Sequence, residues 1–375
     1  MRVLAFLAAS TMLLAACGDT HASPLVDVSV DAEQPVASQT EAPVPATPAP
    51  TATPELRLYE KLRVFVASEA TDQVWALEAT PTGTFAVIAK IPVGRLPHQM
   101  AVSPDGKYVA VNNRMANSTS IIDPIEMKEL KRIPVGKQPH GITFSPDGRS
   151  LFVAHERDNY IAKIDTTTWT STALMTGVPQ HVLTINPLKT SELWFTVTNS
   201  TEGDVLRVYD LGTKEITKIK IGDVHDSYFT PDGSEIWSSS SGFLDKPSDR
   251  MVIYDPVQKK VKQEIHFPGR YPFHTLKPLQ DGMFHPEPSG IMLLSDHLGP
   301  SLLWVDWRER RISGETKLGQ QPFHTTYDPE GGRLLVTTNV DGMVNVIDVK
   351  TRAVVQKIPV TKAHGIVSVG IRTGQ

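Results

Sequence analysis

The sequence predicts an all-β fold, a seven-bladed β-propeller with four-stranded blades. Three observations carry that expectation. A histidine recurs seven times, at His98, His140, His181, His225, His274, His324 and His364, at intervals of 42, 41, 44, 49, 50 and 40 residues. Those intervals match the period of a propeller blade. Between the histidines lie short runs rich in Val, Ile, Tyr and Phe, bounded by turn residues, which read as strands. The two ends of the repeat array are also complementary, so that one completes the other.

The elements follow in chain order. Residues 1–17 read as a targeting segment: Arg2 is the charged start, Val3 to Ala16 the apolar stretch, and Leu14-Ala15-Ala16-Cys17 has the look of a bacterial lipobox. Cys17 is the only cysteine, so the chain has no disulfide and no thiol for ligation elsewhere. Residues 18–55 (with EAPVPATPAPTATPE) are rich in Pro, Ala and Thr, cannot bury a core, and are expected to form a disordered tether. Residues 56–90 hold three strand-like runs, LRLYEKLRVFVAS, QVWALEA and TFAVIAK, without a histidine-bearing first strand.

The repeats proper then begin with IPVGRLPHQMAVSPDG at Ile91 and IPVGKQPHGITFSPDG at Ile133. Pro presets φ in the Ser-Pro-Asp-Gly turn and Gly takes a position with φ above zero. Each unit continues with an apolar second run (YVAVNN, SLFVAHE, RLLVTTN) and a third that ends in aspartate: Asp123, Asp165, Asp210, Asp255, Asp306 and Asp348. Those aspartates are expected to cap the following turn through backbone N–H groups. The last segment, TKAHGIVSVGIR, is a first strand with nothing after it. Paired with the N-terminal three strands it completes a seventh blade and removes the open edges of a linear array. The expected organisation is therefore a signal peptide over 1–17, a tether over 18–55 and a propeller over 56–375.

The pattern VGxxPHGITFSPDGxxLFVA resembles the YVTN-type repeat of seven-bladed bacterial and archaeal propellers, over about residues 56–375. The resemblance implies that the first strand of each blade lines the central channel, with the histidines at one mouth. It further implies that the second strand returns to the same mouth. A wider circle then carries Glu69, Asn113, His155, Glu156, Asn199, Ser239, Asp296, His297 and Asn339. The register separates two groups. His98, His140, His181 and His225 keep six residues to the turn proline, and His364 follows the same approach. In the Phe-His units of His274 and His324, Phe323 aligns with the other histidines, and a β-bulge could restore the direction of the histidine. His266 and His285 fall outside the pattern.

Two readings of the histidines stand side by side. Repeats share ancestry, and a histidine at the start of a blade can simply tie strands together. Against that, the next residue varies freely (Gln99, Gly141, Val182, Asp226, Gly365) while the histidine stays. Neutral imidazole is the commonest metal ligand and suits zinc and copper. Three or four imidazoles at a solvent-filled mouth, with Glu156, Asp296, Glu69 or Asp226 beside them, make a zinc or copper site. The chain is similar to periplasmic propeller-type zinc metallochaperones, which implies metal handling beside an envelope transport system. It is also similar to the propeller of nitrous oxide reductase, but the cysteine-bearing copper domain of that enzyme has no counterpart here. The alternatives are a non-catalytic interaction scaffold and a propeller enzyme such as a lactonase, in which Glu69, Asn113, Asn199 and Asn339 would hold calcium. Haem d₁ and quinone propellers share the fold, but no motif specific to either is present. An enzyme is the less favoured reading.

Composition narrows the partners. Net charge is −4 with no basic run, and the pI is about 6.3, which argues against nucleic acid. The lipobox resemblance implies lipidation of Cys17 and a bacterial envelope location. Gly18 after the cysteine favours the outer membrane, facing periplasm or surface. Membrane attachment through the lipid, an envelope partner and a monomeric propeller complete the expectation.

Overall fold

The computed structural model describes residues 59–197, 206–222, 224–230, 232–239, 248–270, 272–278, 290–296 and 299–372. For 272–278 only the backbone is described. Cys17, the tether, Asn199, His285 and His297 lie outside the described residues, as does the side chain of His274. Among the described residues no helix is long and apolar enough to cross a membrane.

Seven four-stranded antiparallel sheets make up the fold. Blade 1 shows the pattern: Pro97–Val102, Val109–Asn113, Ser118–Asp123 and Lys128–Pro134. Blades 2 to 6 begin with the strands Pro139–Phe144, Gln180–Ile185, Ser227–Phe229, Pro272–Pro278 and Pro322–Asp328. Blade 7 combines the C-terminal strand Ala363–Ile371 with Lys61–Ser68, Gln73–Ala79 and Phe85–Pro92, in that order across the sheet. The closing strand pairs along its length with Lys61–Ser68, from Lys61 opposite Ile371 to Ser68 opposite Ala363.

Burial explains the order of strands. The middle strands are covered on both faces by neighbouring blades, so Val109–Asn113 and Glu192–Val197 are buried at every position. The outermost strand has a wet side, and Lys128–Pro134 is largely exposed. The core is accordingly divided into seven apolar clusters, one between each pair of blades. One joins blade 7 to blade 6 through Leu62, Val64, Val66, Leu335, Val344 and Val346. Another joins blade 7 to blade 1 through Phe65, Val74, Val369, Val109 and Val111. The ring is closed by hydrophobic contact on both sides of the shared blade.

The turns behave as their residues require. Gly106 N–H donates to Ser103 C=O at 2.8 Å with Gly106 at φ 72°, and Gly148 repeats this with Ser145. The six strand-end aspartates each accept backbone N–H groups. Asp123 Oδ1 takes those of Ile125 and Glu126, at 2.8 and 2.9 Å, and Asp165, Asp210, Asp255, Asp306 and Asp348 repeat the arrangement.

Candidate metal centre

Two local devices aim the histidines. The first is a β-bulge at the start of the innermost strand. In blade 1, Pro97 pairs with Asn113 and Met100 with Val111, so His98 and Gln99 together oppose one residue. The same two-for-one step occurs in blades 2, 3, 6 and 7. A bulge re-aims side chains that a regular strand would send to opposite faces. The second device is a left-handed residue two positions before the bulge: Leu96, Gln138, Gln321 and Lys362 have φ of 57°, 51°, 55° and 49°. Such conformations cost energy in non-glycine residues and persist where the surrounding structure enforces them.

These devices aim five imidazoles, and with His225 they form one unbroken run of six around the channel mouth. Ring centroids lie 4.8 Å apart for His324–His364, 3.7 Å for His364–His98, 4.7 Å for His98–His140, 3.8 Å for His140–His181 and 4.2 Å for His181–His225. The closeness has a backbone cause. A Cβ at Gly141 would lie 2.6 Å from the carbonyl oxygen of His181, and one at Gly365 would collide with that of His98. Glycine after the histidine lets adjacent inner strands approach.

The mouth differs from expectation in its solvation. All six histidines are buried, with His364 only 2% and His98 only 7% exposed. The imidazoles pack on each other and fill the mouth instead of lining a wet opening. Blade 6 shows both effects foreseen for its register. Phe323 takes the place of His98 and its ring lies 4.6 Å from that of His364. The bulge keeps His324 on the channel as well, where it lines a cavity of about 130 Å³ with Gln99, Thr143, Thr184, Tyr228 and Gly365.

Carboxylates complete three groups of three donors, in each of which the ligand atoms lie within 4.8 Å of one another. The first is Glu69, His98 and His364. Glu69 Oε1 is 2.6 Å from His98 Nδ1, and the Asn339 amide donates to its other oxygen at 3.0 Å. The second is His140, Glu156 and His181, with Glu156 Oε1 3.4 Å from His181 Nε2. Arg114 holds the opposite oxygen of Glu156, donating from Nε at 2.9 Å and from a terminal nitrogen as well. The third is His181, His225 and Asp226, with His225 Nδ1 2.8 Å from Asp226 Oδ1.

Other members of the wider circle do structural work. His155 is fully buried with both ring nitrogens engaged: Gly136 N–H donates to Nε2 at 3.0 Å, and Nδ1 lies 2.8 Å from the Tyr160 carbonyl. It ties the strand to its neighbours and stands apart from the three donor groups. Asp296 lies 3.3 Å from Arg270 and likewise joins none of them. Asn113 Nδ2 donates to Ser118 and Ser120 within its own blade. His266 sits on an exposed outer strand beside Asp249. Arg114 escaped the sequence reading because blade 1 alone carries a cation there.

Burial shifts two of the imidazoles. Burial holds the His140 imidazole well below the usual histidine range, and neighbouring His181, His98, Arg114 and His225 push the same way. Burial also lowers His155, partly offset by the Tyr160 carbonyl. Tyr228 is raised by burial and by Asp226. His140 Nδ1 is buried with no hydrogen-bond partner among the described residues. An unsatisfied buried nitrogen costs about 1–3 kcal/mol. A cation held by a lone pair on that nitrogen would remove the cost, so the donor set fits a metal cation.

Comparison with known proteins agrees with this architecture. A family model described as YNCE-like beta-propeller matches residues 35–371. The chain belongs to that family. Among solved structures, the YNCE-like chain is similar to dihydro-heme d1 dehydrogenase NirN in complex with DHE. Sequence identity is 16%, the TM-score 0.59, and the match covers 81% of this chain and 74% of that one. At that identity the likeness is one of fold. Among curated proteins, none matches the chain.

Proposed function

We propose that this YNCE-like propeller is a metal-binding protein of the cell envelope, anchored through Cys17, that takes a zinc or copper ion at the histidine-filled mouth of its channel. The observation that carries the reading is the convergence of buried imidazoles and carboxylates into donor groups, one of which includes His140, whose Nδ1 is buried without a hydrogen-bond partner among the described residues. Imidazole with carboxylate suits zinc, and a set of two histidines and one glutamate leaves a coordination position open. Asn339 and Arg114 would serve as the outer groups that orient the ligating carboxylates. When bound, the ion would supply Lewis acidity or simply be cargo, and cargo suits the similarity to zinc metallochaperones. The tether would let the domain reach an envelope partner.

Metal analysis of protein purified without an affinity tag tests the reading. At least one equivalent of zinc or copper is expected. Metal-free protein that also fails to bind either ion at micromolar concentration would overturn it and favour a scaffold role.

A further inference from the structure

The run of imidazoles is not uniform. It contains two face-to-face pairs, His364 with His98 (3.7 Å, interplanar 24°) and His140 with His181 (3.8 Å, 28°). The pairs meet edge-on, at 4.7 Å and 64° between His98 and His140. Each pair is backed by one glutamate from the end of a second strand, Glu69 in blade 7 and Glu156 in blade 2. The mouth therefore holds the same unit twice: two imidazoles and a carboxylate. The third donor group shares His181 with the second, so it is an alternative to it and not a third unit.

The two units differ in charge. Glu69 is held by the neutral amide of Asn339 and by the His98 ring. Glu156 is already paired with the Arg114 guanidinium through two nitrogens on one oxygen. A guanidinium in that position neutralises the carboxylate and repels a dication beside it. The interaction is poorly screened because Glu156, His140 and His181 are mostly buried.

We infer that the channel mouth binds two metal ions of unequal affinity, a tightly held one at Glu69–His98–His364 and a weaker, exchangeable one at His140–Glu156–His181, with Arg114 setting the difference. This rests on the metal-binding reading above. A carrier with one retained and one exchangeable ion can hand over the second without emptying, and Arg114 is the group that keeps the second ion loose.

The test uses the full chain stripped with chelator and titrated with Zn²⁺ against a competing chelator, with the bound count read by native mass spectrometry. Two ions are expected, the first bound at least about tenfold more tightly, within the range by which groups around a metal site alter affinity. Glu69→Gln should abolish the tight event and leave the weak one. Should that variant fail to fold, His364→Gln makes the same test. Arg114→Gln should tighten the second event about tenfold and leave the first unchanged. A wild-type protein that takes only one ion overturns the two-ion inference and leaves the metal-binding reading standing. A protein that takes none overturns both. An Arg114→Gln protein whose second event is unchanged or weaker removes Arg114 from the account.

Discussion

Closure of the ring by the C-terminal strand makes a strong mechanical prediction. Truncation after Lys362 removes the strand Ala363–Ile371 and with it the buried apolar side chains of Ala363, Ile366 and Val369, besides buried His364. Full burial of an Ile or Val contributes roughly 1.5–3 kcal/mol, so the lost side chains alone amount to about 5 kcal/mol. The truncation also bares the edge of the sheet at Lys61–Ser68, where Val64, Phe65 and Val66 have no exposure in the intact protein. Net stabilities of domains are only about 5–15 kcal/mol, so the loss is comparable with the whole. The assay is thermal unfolding followed by far-UV circular dichroism, with chelator present so that loss of His364 as a ligand does not contribute. We expect Tm to fall by at least about 10 °C, or cooperative unfolding to disappear. Removal of residues 18–50, by contrast, should leave Tm nearly unchanged. A protein lacking 363–375 whose Tm stays within about 2 °C of the intact chain would refute the closure argument.

Three further outcomes are expected. His140 and His155 are both held below the ordinary histidine value of 6.5. Below that pH the unfolded chain takes up protons that the folded one refuses, so their contribution is complete above pH 6.5 and is lost as pH falls. The metal-free protein should therefore melt at lower temperature at pH 5 than at pH 7. Depressed carboxylates such as Glu315, drawn down to about 2 by Lys317, Ser301 and Arg270, lose their contribution only at more acid pH; a flat melting profile from pH 7 to 5 would contradict the imidazole assignment. Asp123→Ala removes the acceptor for two backbone N–H groups and should cost about 1–3 kcal/mol in chemical denaturation, at about 0.5–1.5 kcal/mol per bond; an unchanged midpoint would show that the turn needs no cap. Cys17→Ser should move the protein from the membrane fraction to the soluble one with its Tm unaltered, whereas retention on membranes after a salt wash would remove the lipid anchor from the account.

The fold was legible because propeller blades write their period into the chain. The Pro-Asp-Gly turns, the strand-end aspartates and the split blade at the two termini are each local signals, and each is realised as a hydrogen bond or a strand pair. The site was legible only in part. Recurrence located the histidines, and the six-residue spacing to the turn proline singled out Phe323 as the register equivalent. Spacing alone does not show burial, because whether a channel mouth is wet depends on how closely neighbouring inner strands approach. Gly141 and Gly365 control that approach, and they read in the sequence as ordinary variation. The division of labour in the wider circle was equally hidden. Glu69 and Glu156 face imidazoles, while His155 beside Glu156 turns to Gly136 and Tyr160, because adjacent residues leave a strand in opposite directions. Arg114 belongs to one blade and gives no periodic signal.

The imidazole run is proposed to be a metal site first and a packing device second. The most direct measurement is a calorimetric titration with Zn²⁺ and a thermal melt, both made on the intact protein and on a His98→Gln, His140→Gln, His181→Gln triple variant. Glutamine fills much of the imidazole volume and keeps a polar end in this buried layer. Stoichiometric binding is expected of the intact protein and little or none of the variant, which should still unfold cooperatively. An intact protein that binds no zinc, together with a variant that no longer folds, would contradict it and make the histidines structural.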